Sequence, residues 1–390
     1  MSSSRKTPEG LDVSNEFDLP ADRVWLNAAH QGPLPKRGIE AAERMIRWKA
    51  RPHHLQPSRA FTDLPDELRE RLARLIGAKP AEIVIANSAS YGLHLIANGL
   101  ELRAGDEVVV AANDFPSDIL PWLRLQRHGV EVRQIQPKAA VPTVEEVRAA
   151  ATRRTRVLCL SWVHSFSGHM VDLEAIGSFC REAGVLFVVN GSQAIGAIPI
   201  DVAAVPVDAL VGVGFKWLCG PYGTGFAWLG ERAWEQVRPT KLYWLTALST
   251  DDLTKPDLDL RSIDAPTVGR HDIFGTANFL NNAPFVESIS LISETGVDAI
   301  HRHDLDLAAR LVEGLDPRLF ETQDRGRAGR MSSLVFVLPF QTSSGVMVER
   351  LADAGIDISE RSGMMRFSPH FYNTVDEIDH VVGLMNTPLA

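Results

Sequence analysis

The segment VGVGFKWLCGPYGTGF (211–226) carries the chain's clearest chemical signal. An apolar run ends in glycine, Lys216 follows, and a loop rich in glycine and proline comes next. An amine among apolar and aromatic neighbours is partly desolvated. Desolvation lowers its pKa and leaves a nucleophile able to attack a carbonyl. A lone lysine after a strand is more often a solvated surface charge, so the reading needs a second signal. VVNGSQAIGAIPIDV (188–202) supplies it: Asn190 ends a further apolar run upstream, with Gln193 just beyond.

Such side chains need a scaffold that gathers strand ends. From residue 82, short apolar runs alternate with amphipathic ones. EIVIA (82–86), EVVVAA (107–112), VLCLSWV (157–163), VLFVVN (185–190) and DALVGVG (208–214) read as strands. SYGLHLIANGL, SDILPWLRLQRHG and DLEAIGSFCREAG read as intervening helices. Continuous Val/Leu/Ile runs suit strands buried on both faces. The alternation predicts an α/β fold with a mainly parallel sheet covered by helices, and ligands at the strands' carboxyl ends. Further on, helical LDLAARLVEGL and TSSGVMVERLADAG flank the strand-like SSLVFVLPF, which predicts a smaller α+β domain. The expected division is an amino-terminal arm over 1–22 that packs with the small domain, a large domain over 23–284, and a small domain over 285–390.

Taken together, these segments resemble the class V aminotransferase family of fold type I enzymes that use pyridoxal phosphate (PLP). Cysteine desulfurases, kynureninases and isopenicillin N epimerases belong to it. Its pattern is a strand ending in Asp-Gly-x-Gln, then an aromatic residue or His before the Schiff-base lysine; this chain has Asn190-Gly191-Ser192-Gln193 and Phe215-Lys216. The resemblance implies a fold type I architecture, PLP joined to Lys216, and a homodimer with shared sites. ANSASYGLHLIANGL (86–100) resembles the phosphate-binding turn and helix, which assigns Ser88, Ala89 and Ser90 to the phosphate. Backbone N–H groups at a helix start suit a dianion.

NDFPSDILPW (113–122) is similar to a kynureninase segment, and implies that Phe115 stacks on the pyridine ring while Asp118 holds the phosphate-side loop. By the same resemblance Asn190 faces the ring nitrogen, Gln193 the phenolic oxygen, and Ser165 and Phe215 also border the cofactor. GTAN (275–278) matches a segment that reaches the partner's phosphate through Thr276. MRFSPHFYNTVDEID (365–379) resembles the segment whose Arg, here Arg366, grips the substrate carboxylate. A planar guanidinium fork suits that task. WLNAAHQGPLP (25–35) resembles the family's amino-terminal loop, and His30 and His164 are the expected substrate-side histidines. His169 and His370 are further pocket candidates, and Trp244 is a candidate wall.

Two departures shape the expected reaction. Asn190 stands where the family has Asp, and a neutral amide cannot supply the charge that keeps a ring nitrogen protonated. Carbanions that discharge at once, as in β-elimination of a thiolate, suffer least. The stretch ISERSGMMRFS, where a desulfurase carries its nucleophilic cysteine, has none. The expected activity is therefore carbon–sulfur β-elimination from a cysteine-type conjugate in a biosynthetic pathway. Decarboxylation-coupled oxidative deamination, transamination, epimerisation and a catalytically silent PLP fold are the alternatives.

Bulk composition narrows the partners. The net charge of -9, with no dense Lys/Arg run, argues against nucleic acid or an anionic membrane. The start MSSSRKTPEG lacks an apolar run, and no stretch is long enough to span a bilayer. The three cysteines lie in or beside apolar segments without metal-ligand spacing, so the expectation is a cytoplasmic protein with reduced thiols and no metal.

Overall fold

The computed structural model describes residues 13, 16–56, 58–241, 243–248, 251–258, 268–322 and 331–387. The short strand β1 (Val24–Trp25) precedes helices α1 (Lys36–Ala50) and α2 (Leu64–Ile76). Then come β2 (Ile83–Ala86), α3 (Ala89–Gly99), β3 (Glu107–Ala111), α4 (Pro116–Leu123), β4 (Glu131–Ile135) and α5 (Val144–Ala150). β5 (Thr155–Ser161), α6 (Leu173–Ala183), β6 (Leu186–Asn190), β7 (Ala209–Val213), β8 (Gly225–Leu229) and α7 (Glu231–Gln236) follow. After the one-turn α8 (Trp244–Ala247) and the long α9 (Phe279–Thr295) come α10 (Val297–Gly314), β9 (Phe320–Thr322) and β10 (Val335–Pro339). The chain ends with α11 (Ser344–Asp353), β11 (Ile356–Asp357), β12 (Ser359–Arg361), β13 (Met364–Phe367) and α12 (Val375–Met385).

The expected strands join one sheet of order β2-β8-β7-β6-β5-β3-β4. All neighbours are parallel except β8, which runs antiparallel to both β7 and β2. The apolar runs β2, β3, β6, β7 and β8 are buried along their whole length, whereas the polar β4 forms an exposed edge. One face packs Leu68 and Leu72 of α2, Ile176 of α6, and Phe285 and Ile289 of α9. The other packs Leu93 and Ile96 of α3 and Trp122 of α4.

A second sheet, β12-β13-β10-β9, underlies the small domain. Its core joins Leu307, Leu311, Val337, Leu351 and Phe367 to Leu26 from the amino-terminal segment. β1 pairs in parallel with β11, and Arg23 meets Asp357 at 2.7 Å. The segment just after the expected arm therefore packs with the small domain. The expected 284/285 boundary falls inside α9, whose buried Phe285, Ile289 and Ile292 lie in the large-domain core. No helix among the described residues is long and apolar enough to cross a membrane.

Candidate active site

Because every strand of the main sheet except β8 points the same way, the carboxyl ends of β2, β5, β6 and β7 open on one side. A cavity of about 260 Å³ lies there. It is lined by Ser88, Ala89, Ser90, Phe115, Ser165, Asn190, Gln193, Phe215, Lys216, Arg366 and His30, which brings together eleven of the residues expected from the sequence.

Lys216 sits in the turn after β7, partly buried, with Nζ 5.5 Å from the centre of the Phe115 ring. Burial pushes its amine down to about 8, helped by the nearby Arg366 and Arg361 and opposed by Asp118. The amine is thus far closer to its free-base form at neutral pH than a surface lysine. The turn is clamped from the amino-terminal loop. Gly32 N–H donates to the Phe215 carbonyl at 2.9 Å, and a Cβ at Gly32 would lie 2.2 Å from the Lys216 carbonyl oxygen. Only glycine permits that approach. Phe215 stacks on Tyr222 with ring centres 4.1 Å apart.

At the start of α3, Ser88 caps the helix by accepting from the Tyr91 N–H at 3.1 Å. Ser90 Oγ lies 2.9 Å from Ser117 Oγ of α4. Ser88 Oγ in turn donates to Asn87 Oδ1 at 3.0 Å, so the donors suited to an anion cradle are the Ser90 and Ser117 hydroxyls and the remaining N–H groups of the first turn. Gln193 Oε1 accepts from Trp217 Nε1 at 2.9 Å, and its Nε2 donates to the Ala29 carbonyl at 3.1 Å. One Nε2 hydrogen remains for a ligand oxygen.

Asp118 has a different place from the one expected. It does not face the phosphate turn. It is fully buried behind Asn190, whose Nδ2 donates to its two oxygens at 2.9 and 3.1 Å. Ser161 Oγ donates to it as well, at 2.9 Å. The reason is the helical turn: Ser117 occupies the α4 position that points at Ser90, and the next residue is rotated toward β5 and β6. Burial, with Asp114 adding to it, raises the Asp118 carboxyl well above the usual range, while the two donors pull the other way.

The histidines divide. His30 lines the cavity, and burial together with Arg361, Arg366 and Lys216 lowers its pKa. His164 does not face substrate space. Its Nδ1 bonds Ser167 Oγ at 2.7 Å and its Nε2 the Asn113 carbonyl at 2.8 Å, so both ring nitrogens brace loops. His169 borders a separate groove beside Pro142 and Asp172. His370 is buried between domains, with Nδ1 at 2.8 Å from Asp304 and Nε2 at 2.9 Å from the Trp217 carbonyl. Thr276 is buried outside the cavity, its carbonyl accepting from Asn282 at 2.8 Å. Trp244 is 37% exposed and packs near Phe61 and Tyr243, away from the cavity lining.

Sequence reasoning missed Ser117, Ser161, Phe166, Ser192, Tyr222 and Arg361, all of which line the cavity. Ser117 and Arg361 lay within stretches read for other residues. Arg366 is buried to 2% exposure, with Nε and Nη2 unpaired. The buried Ser192 Oγ is also unpaired. Unsatisfied buried donors in a cavity are what a bound ligand would satisfy. The cradle at α3, the aromatic face of Phe115, Gln193 and the amine of Lys216 fit PLP.

Comparisons with known proteins show the family and the fold. The family model for aminotransferase class V matches residues 24–381. A probable cysteine desulfurase of Methanothermobacter thermautotrophicus is 27% identical, covering 94% of this chain and 95% of the relative. An isopenicillin N epimerase of Streptomyces clavuligerus is 29% identical, covering 93% and 94%. Among solved structures, the apo cysteine desulfurase of Thermococcus onnurineus superposes with a TM-score of 0.86 at 23% identity, covering 99% of this chain and 98% of that one. A cystine C–S lyase bound to cysteine persulfide superposes at 0.83 with 20% identity, covering 94% and 98%. The structural likenesses bear on the fold.

Proposed function

This chain belongs to the aminotransferase class V family and is a PLP-dependent enzyme, and on that premise we propose that it cleaves a carbon–sulfur bond by β-elimination from a cysteine-type conjugate in a biosynthetic pathway. Bound PLP supplies a ring that can accept electrons from the substrate's Cα. The protein's own groups do the rest. Lys216, with its amine pushed down to about 8, holds the cofactor and then moves the proton at Cα. Arg366 orients the substrate by its α-carboxylate. Phe115 would offer its aromatic face to the cofactor ring, and Gln193 its spare Nε2 hydrogen to a cofactor oxygen.

The observation that carries the choice of reaction is the state of the cysteines. Cys159, Cys180 and Cys219 are all buried, and none lines the cavity. Burial raises all three thiols, so none is a ready thiolate. Sulfur therefore leaves with its fragment and is not passed to an enzyme thiol. One structural relative is described as a cystine C–S lyase, which is consistent with release of that kind. Purified holoenzyme given an S-substituted cysteine should yield pyruvate, ammonia and a free thiol. Recovery of the amino acid with inverted Cα would instead support epimerisation, the reading favoured by the isopenicillin N epimerase likeness. Carbon dioxide with an aldehyde would support decarboxylation.

The same proposal takes the active unit to be a cytoplasmic homodimer in which Thr276 completes the partner's phosphate cradle. Mixing Lys216→Ala subunits with Thr276→Asp subunits should restore part of the activity that each lacks alone. Full activity in a strictly monomeric wild-type species would sink the shared-site idea.

A further inference from the structure

Lys216, Arg366 and Arg361 all line the cavity, and no Asp or Glu among the described residues does. In the reading above, Lys216 takes the cofactor, the α3 start takes the phosphate, and Arg366 takes the α-carboxylate. Arg361 is left over. From this surplus we propose that the site is built for an amino acid whose side chain carries its own negative charge, a carboxylate or sulfur oxyanion, held by Arg361. The inference rests on the proposed amino-acid site and names its substrate class.

The hairpin geometry argues for two separate anion positions. β12 and β13 are joined by the two residues Ser362 and Gly363, both left-handed with φ of 52° and 74°. That conformation makes a tight hairpin turn and fixes the register. Ser359 lies opposite Arg366, and Arg361 opposite Met364. Alternation then puts Arg361 and Arg366 on one face as diagonal neighbours, about 7–8 Å apart or somewhat less at Cβ. Behind them, Met365 and Phe367 point into the small-domain core and anchor the strand.

Arg366 can satisfy one carboxylate by itself. Its unpaired Nε and Nη2 are the two parallel donors of a bidentate fork. Arg361 donates Nη1 to the Glu360 carbonyl at 2.7 Å, and no carboxylate among the described residues pairs with it. Two neighbouring guanidinium groups facing one cavity repel each other, and burial lowers the pKa of Arg366 with Arg361 adding to the effect. A ligand with a single negative charge relieves only one of them. A second anion on the side chain relieves both.

The test uses non-reacting probes, so it does not depend on turnover. Succinate and butyrate have the same carbon count and differ in the second carboxylate. Titration calorimetry on wild-type holoenzyme should show succinate binding more tightly. Arg361 is only half-buried, so Arg361→Gln should weaken succinate by roughly tenfold, less than truncating one partner of a fully buried charge pair would. Butyrate affinity should stay within about threefold. Arg361→Lys, which keeps the charge, should retain most of the preference and guards against a misfolded hairpin. Arg366→Gln should weaken both ligands. If Arg361→Gln leaves the ratio of the two affinities unchanged, the second anion site does not exist. If wild-type holoenzyme carries PLP yet binds neither acid, the amino-acid site itself is misread, and the inference falls with it.

Discussion

The two ends of the cavity are built on opposite principles. At the Asn190 end the polar groups pair with one another. Asn190 donates to Asp118, Ser161 Oγ donates to Asp118, and Ser161 N–H donates to Asp114 at 2.8 Å. At the Arg366 end a buried guanidinium keeps two nitrogens unpaired, with a second arginine beside it. A closed polar network is rigid and holds its shape without a ligand. Unpaired buried donors cost stability and are satisfied when a ligand arrives. The first arrangement suits a group that stays, the second a molecule that comes and goes.

The comparison can be broken from the middle, where the effect is largest. Lys216→Ala should lower turnover by at least about 10³-fold, and borohydride should no longer fix the cofactor to the chain. Labelling of a different lysine in the wild type would displace Lys216 from its role. At the open end, Arg366→Ala should cost roughly 2–5 kcal/mol of substrate binding, while the visible absorbance of bound cofactor persists. A variant that loses its cofactor would mean that Arg366 belongs to the closed network after all.

At the closed end, restoring the family's carboxylate should hurt. Asn190→Asp places a second acid within hydrogen-bond reach of Asp118, and two buried carboxylates cannot both ionise. The raised acid binds a proton more tightly in the folded state, so stability falls as pH rises above the ordinary carboxylate range. A loss of about 1–3 kcal/mol near neutral pH is expected, read as a falling melting temperature from pH 5 to 8. The exchanged pair, Asn190→Asp with Asp118→Asn, should recover most of it. Equal stability of the single variant at both pH values would show that the two side chains are not coupled. The smallest effect is on the Lys216 amine. Reconstitution of apoenzyme with PLP should accelerate with a midpoint near pH 8. Arg366→Gln should raise that midpoint and Arg361→Gln should raise it less, since each removes a positive charge that disfavours the ammonium.

Most of the scaffold was legible because the strands are continuous apolar runs, and β2, β3, β6 and β7 appear within a residue or two of their expected ends. β8 was hidden in the sequence because GFAWL follows a Gly/Pro loop directly, and its antiparallel direction has no periodic signature. At the site, residues with a chemical reason to be there were found: Lys216, Arg366, Gln193 and Phe115. Asp118 and His164 lie in the expected segments but turn elsewhere, Asp118 to Asn190 and Ser161 and His164 to Ser167 and Asn113, because a motif gives a segment and not a rotation. Arg361 carries no signal of its own in ISERSGMMRFS, a stretch that stands out in the linear sequence only by its lack of a cysteine. Its importance comes from the hairpin register, which pairs residues across a turn that the linear sequence does not show.

The buried His370 has a mechanical meaning. It comes from the small domain, four positions beyond Arg366, yet its Nε2 bonds the carbonyl of Trp217, the residue after Lys216. Its other nitrogen bonds Asp304 of α10. Any rocking of the small domain must break this bridge or carry the lysine turn along. Arg366 and Lys216 are therefore geared to each other, so a shift at one is transmitted to the other, with this imidazole as one of the links beside the amino-terminal loop.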